Sequence, residues 1–179
     1  MRSMNWNSIV STNEGGFTKL EPGAYVAKIV EFSDFPQREY VEVVYDIAEG
    51  PRAGFYSDDW GREHPYAHHF FLSYKDKAAG MLKGRLEAIA SSNPGFDPFA
   101  AWDAGKESMF VGKLVGINLQ EEEYETNDGE VRTRLNVCQV VDVAKVRSGD
   151  VKLRDKKTLD KPRQTPKTAD VYAGEIPFD

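Results

Sequence analysis

Residues 110–143 constrain the fold most, because two alternating runs there flank one cluster of turn-forming residues. Within 110–120, Val111, Val115, Ile117 and Leu119 recur on one face, and Gly112 and Gly116 thin the other, which predicts a bent strand. Asn127, Asp128 and Gly129 tolerate positive φ and predict a hairpin turn after the acidic run Glu121, Glu122 and Glu123. The return strand is expected to turn Val131, Thr133, Leu135, Val137, Val141 and Val143 inward, with Arg132, Arg134 and Asn136 sharing the opposite face. A pair of strands with one apolar face needs further strands or a helix to bury it.

The rest of the chain supplies them. Residues 24–32 are β-branched and aromatic throughout and read as a first strand. Residues 40–47 alternate more cleanly, with Val41, Val43, Tyr45 and Ile47 inside and Tyr40, Glu42, Val44 and Asp46 outside. Residues 66–73 form a third strand. From Asp76 the period becomes helical, with Ala79, Leu82, Leu86 and Ile89 on one stripe, and the residues 92–95 (Ser-Asn-Pro-Gly) end it. The loop 55–65 holds Phe55, Tyr56 and Trp60 among charges, as either a packed lid or a set of stacking surfaces. Residues 1–22 read as an N-terminal arm anchored by Trp6, 23–148 as one domain, and 149–179 as a flexible linker and tail, poor in large apolar side chains.

Composition narrows the function. The chain of 179 residues has a net charge of −6. After position 150 seven basic residues stand against five acidic ones, or +2, which leaves −8 on residues 1–150. An acidic body disfavours general attraction to a polyanion, so any nucleic-acid site must be a local groove. One cysteine, Cys138, excludes an internal disulfide and reads as a small half-buried side chain. With no apolar run of membrane-spanning length and no secretory signal pattern, the expected place is the cytoplasm of a bacterial host, with no membrane partner.

Strand, strand, strand, helix, strand, strand is the element order of the OB-fold, a five-stranded Greek-key barrel, here with its helix between strands 3 and 4 and a disordered C-terminal tail. The chain also resembles a phage-encoded family similar to single-stranded-DNA-binding proteins. The resembling residues are Pro22, Gly23, Ala24 and Tyr25; Glu49, Gly50 and Gly54; Tyr74, Lys75, Asp76, Lys77 and Gly80; Asn93, Pro94, Gly95 and Phe96. Gly112 to Gly116, Glu121 to Tyr124 and Asn127 to Arg132 complete the set. The tail tip Glu175, Ile176, Pro177 and Phe178 is similar to the Asp-Ile-Pro-Phe tip of bacterial single-stranded-DNA-binding proteins, although Asp179 follows it and the linker is basic. The resemblance implies single-stranded DNA as ligand and replication or recombination proteins as partners of the tail.

Binding single strands asks for aromatic faces that stack on bases and cations that follow phosphates. On the OB-fold binding face, formed by strands 2 and 3 and the loops joining strands 1–2 and 4–5, the candidates are Arg38, Tyr40, His68 or Phe70, Tyr124, Arg132 and Arg134. Lys28 and Lys113 are further candidates, Tyr56 and Trp60 would close over the strand, and the linker lysines would add loose phosphate contacts. Arg132 and Arg134, two apart on one strand face, are the strongest pair, and pairing with Glu121 to Glu123 is the competing account of them. His64, His68 and His69 near Asp58, Asp59 and Glu63 match no metal-ligand spacing, since neighbours on a strand point to opposite faces. No catalytic residue, metal or cofactor is therefore assigned, and the chain is not expected to be an enzyme. The alternatives are a protein-interaction module on the same barrel and, more weakly, a metal-dependent nuclease. The arm leaves room for a homo-oligomer.

Overall fold

The architecture was read from a computed structural model, which describes residues 19–159 and Ser3. The N-terminal arm around Trp6 and the tail tip at 175–178 lie outside the described residues. Five antiparallel strands form one sheet in the order β3-β2-β1-β4-β5: β1 Gly23–Phe35, β2 Tyr40–Ile47, β3 His69–Ser73, β4 Leu114–Glu125 and β5 Val131–Val141. Among the described residues four α-helices accompany them: α1 Asp59–Glu63, α2 Ala79–Ser92, α3 Pro98–Asp103 and α4 Val143–Ser148. Among the described residues none is long and apolar enough to cross a membrane.

Strand β1 holds the sheet together because it pairs twice. Its first half lies against β4 and most of its length against β2, and an irregularity between Ile29 and Glu31 lets one strand serve both directions. Such a break in register bends a strand and raises its twist. The edge strands β3 and β5 approach each other, although no ladder joins them among the described residues. Inside lie Ile29, Val43, Leu72, Val115, Ile117 and Leu119, with Leu86 and Ile89 of α2 packed against them. Asn93 fixes that helix to the sheet, because its side chain donates to Ile89 O and Leu114 O (each 2.8 Å) and accepts from Leu114 N at 2.9 Å.

Several expectations need correction. Strand β4 begins at Leu114, not at Phe110, because Gly112 (φ 83°) turns the chain first and Val111 is exposed. Strand β3 begins at His69, since residues 65–67 form a 3₁₀ turn. Val131 and Thr133 are exposed where the β4–β5 hairpin runs beyond the core, and Val143 is buried at the start of α4. Ala79 is exposed, so the buried stripe of α2 is shorter than its periodicity implied. Val44 and Asp46, expected outside, are buried: the Asp46 carboxylate accepts from Tyr56 N at 2.9 Å and brings the 48–57 loop down on the outer face.

Gly116 explains why α4 follows β5 so closely. A Cβ there would lie 2.6 Å from Val141 O and 2.9 Å from Val146 Cγ2, so only glycine admits the helix against β4.

Candidate nucleic-acid interface

Alternation puts Phe35 of β1, Tyr40 of β2 and Phe71 of β3 on the outer face of the sheet. Phe35 pairs with Tyr40, and Glu42, two residues on from Tyr40, pairs with Phe71. Their rings form a continuous strip, with centroids 5.4 Å apart for Phe35 and Tyr40 and 4.8 Å for Tyr40 and Phe71. His69 extends it, 4.8 Å from Phe71, and its Nδ1 meets Glu42 Oε1 at 2.5 Å. Phe35 is 40% and Phe71 42% exposed, so ring surface remains for a planar ligand. Arg38 lies in the turn beside the strip; its Nη1 is 3.5 Å from Tyr40 Oη, and it has no carboxylate partner among the described residues.

A second patch is the hairpin arm, where β4 and β5 run past the end of β1. Register pairs Gln120 with Asn136, Glu122 with Arg134 and Tyr124 with Arg132, all facing the same outer side as the aromatic strip. The Arg134 guanidinium lies 5.1 Å from the Tyr124 ring centre and donates to Glu122 Oε2 at 3.2 Å. Arg132 donates to Glu130 Oε2 at 2.8 Å rather than across the hairpin. Both arginine side chains stay more than half exposed; the Arg132–Glu130 pair is exposed at both ends and worth only ~0–1 kcal/mol, whereas Glu122 beneath Arg134 is largely covered.

Residues 151–159, read in the sequence as the start of a linker, lie on this arm. Asn118 Nδ2 donates to Lys152 O at 3.0 Å and Gln120 Nε2 to Asp155 O at 2.6 Å. Glu123 N donates to Lys157 O and Lys157 N to Glu121 O, each at 2.8 Å, which makes one parallel bridge at the β4 edge left free beyond β1. Lys157 Nζ pairs with Glu122 Oε1 at 2.9 Å and Lys156 Nζ with Glu123 Oε1 at 2.8 Å. The Glu122 carboxyl is held below its ordinary value, first by the hydrogen bond from Lys157, then by Arg134. Between the arm and the aromatic strip the outer face is covered at Val26, Val44, Asp46 and Asn118. The candidate interface is thus two patches on one face.

The other candidates divide sharply. His68 and Phe70 are buried, because on β3 it is the His69 and Phe71 parity that faces outward. The His68 ring stacks on Tyr56 (centroids 4.2 Å apart); Nε2 lies 2.8 Å from Gly61 O and Nδ1 is bonded to Tyr45 O, so it pins the 56–68 loop to β2. Tyr56 is buried beneath that loop, and desolvation pushes its hydroxyl up to about 12. Neither ring can stack on a base. Trp60 is 48% exposed, in a ladder with His64 (4.6 Å) and then Tyr66 (5.5 Å). Lys113 is spoken for by the Phe96 ring, 4.6 Å from its Nζ, and Lys28 is exposed on β1.

Sequence reasoning missed Phe35, His69 and Phe71, and it expected Lys156 and Lys157 as loose linker cations where they are held by Glu123 and Glu122. The pairing registers identify the first three, Phe35 opposite Tyr40 and the His69 and Phe71 parity opposite Val44 and Glu42; nothing local signals the docking of the two lysines, whose carboxylate partners lie more than thirty residues away. Among the described residues no three His, Cys, Asp or Glu side chains gather as metal ligands would. No protein-family model matches this sequence, and a search of curated proteins returns no relative.

Proposed function

We propose that this chain binds single-stranded DNA without sequence preference, in phage or prophage DNA replication and recombination, and catalyses no reaction. The observation that carries the reading is the strip of Phe35, Tyr40 and Phe71, exposed at Phe35 and Phe71, beside Arg38 and on the same outer face as the Tyr124, Arg132 and Arg134 cluster. Stacking contributes ~1–3 kcal/mol per base and tolerates any base, and arginines supply the phosphate contacts. The strand order supports an OB-fold. Three consecutive strands and a fourth returning beside the first give the Greek-key order 4-1-2-3, with α2 in the long connection. The approach of β3 to β5 is what a closing barrel requires. Partner proteins are recruited through Glu175, Ile176, Pro177 and Phe178.

Arg132→Ala with Arg134→Ala tests the arm. The double variant should weaken binding of a thymine oligonucleotide and flatten its salt dependence by ~1–2 in slope. Unchanged affinity and slope would remove the arm from the site.

A protein-interaction module is the second reading. The −8 charge of residues 1–150 and the carboxylates on Arg132 and Arg134 favour it. A chain with that role would show no affinity for single strands at low salt.

A further inference from the structure

A recess opens at the same end of the sheet as the aromatic strip but on the opposite side of the strands. Asp34 and Val41 line it, next in sequence to Phe35 and Tyr40, so the turn at 36–39 is the rim between strip and recess. The cavity measures about 300 Å³, room for one nucleobase. Its apolar side is aromatic: Trp102 meets Phe32 edge-on at 6.3 Å and Tyr74 edge-on at 5.9 Å.

Its polar side is Asp34, Glu107 and Lys106. Tyr74 Oη donates to Asp34 Oδ1 at 3.0 Å, and Asp34 N donates to Glu107 Oε1 at 3.2 Å. Each carboxylate thereby keeps an oxygen able to accept from a ligand. The Tyr74 hydroxyl is pushed up by desolvation, by its bond to Asp34 and by the charges of Asp34 and Glu39, so it keeps its proton as the donor to Asp34. The Lys106 ammonium has no carboxylate partner among the described residues and is the one lining group suited to a phosphate.

We propose that this recess takes one base of a bound single strand and prefers guanine to thymine. The inference rests on the single-strand reading above and amends it at one point: the strip and the arm accept any base, and the recess alone discriminates. Guanine offers an N–H and an amino group on one edge, a pair of donors for carboxylate oxygens. Thymine offers one N–H between two carbonyls, which would face the same carboxylates. The strand enters by rounding the 36–39 turn, where Arg38 follows the backbone.

The test compares two oligonucleotides of about 20 nucleotides with the full chain at one salt concentration, one all thymine and one alternating guanine with thymine. The alternating strand should bind about fivefold more tightly. In Asp34→Asn with Glu107→Gln that ratio should fall to about one, and measurable thymine binding shows that the variant is folded. Equal affinities in the natural chain, or a preference that survives in the variant, overturn the pocket and leave the single-strand reading standing. No binding of either strand overturns both.

Discussion

Arg134 and Lys157 share one carboxylate: Glu122 accepts from Arg134 Nη2 at 3.2 Å on Oε2 and from Lys157 Nζ at 2.9 Å on Oε1. Glu122 itself is largely covered, while both cations remain more than half exposed. The acidic run of β4 therefore orients the cations of the arm and also competes for them.

Glu122→Gln removes the competitor and keeps the shape. Affinity for a thymine oligonucleotide at low salt should rise about threefold to fivefold, with a steeper salt dependence, measured by fluorescence anisotropy. A fall in affinity would mean that Glu122 positions Arg134 more than it occupies it.

Acid should release the 151–159 segment. The carboxyl of Glu123 is lowered chiefly by the hydrogen bond from Lys156, that of Glu122 by the bond from Lys157, both from an ordinary 4.5. A folded pKa below the unfolded one gives stability that is present above the unfolded value and lost as pH falls through the folded value. Amide exchange at Glu123 and Lys157, corrected for intrinsic rate, should accelerate below about pH 4.5 and before global unfolding. Acceleration only together with the core strands would show that the segment has no separate opening.

His68 should matter for stability and not for binding. His68→Ala leaves the carbonyls of Tyr45 and Gly61 without their ring partner and opens a hole against Tyr56. The expected loss is about 3 kcal/mol, or roughly 6–12 °C in Tm, with DNA affinity of the folded protein within about twofold. A larger loss of affinity at unchanged stability would return His68 to the interface.

Two glycines should respond with opposite sign. Gly116→Ala drives a methyl into Val141 O and Val146 and should destabilise by about 1–3 kcal/mol. Gly84→Ala, in the exposed part of α2 with open space at its Cβ, should stabilise by about 0.5–1 kcal/mol. Denaturant titration of both variants separates close packing from helix propensity.

The elements readable from the sequence were those set by local pattern. Val41, Val43, Tyr45 and Ile47 alternate and are buried; Leu86 and Ile89 keep a helical spacing and are buried; Gly129 takes φ 79° in the expected turn. Features set by distant partners were hidden. Tyr56 and His68 look like ligand aromatics until the 48–68 loop folds over β2 and main-chain groups claim them. The choice between His68 with Phe70 and His69 with Phe71 turns on the register of β3 against β2, and a one-residue slip exchanges every outward side chain. Residues 151–159 are docked by Lys156 and Lys157 on Glu123 and Glu122 while Leu153 and Leu159 stay exposed, so the docking follows no apolar pattern in the sequence.

The most direct measurement titrates the full chain with a thymine oligonucleotide of about 20 nucleotides at two salt concentrations, beside Tyr40→Ala with Phe71→Ala. The account predicts salt-sensitive binding by the natural chain and a loss of at least about fivefold in the variant, with a thermal melt of both proteins to show that the variant is folded. Absence of binding at low salt, or equal affinity in the two proteins, would contradict it.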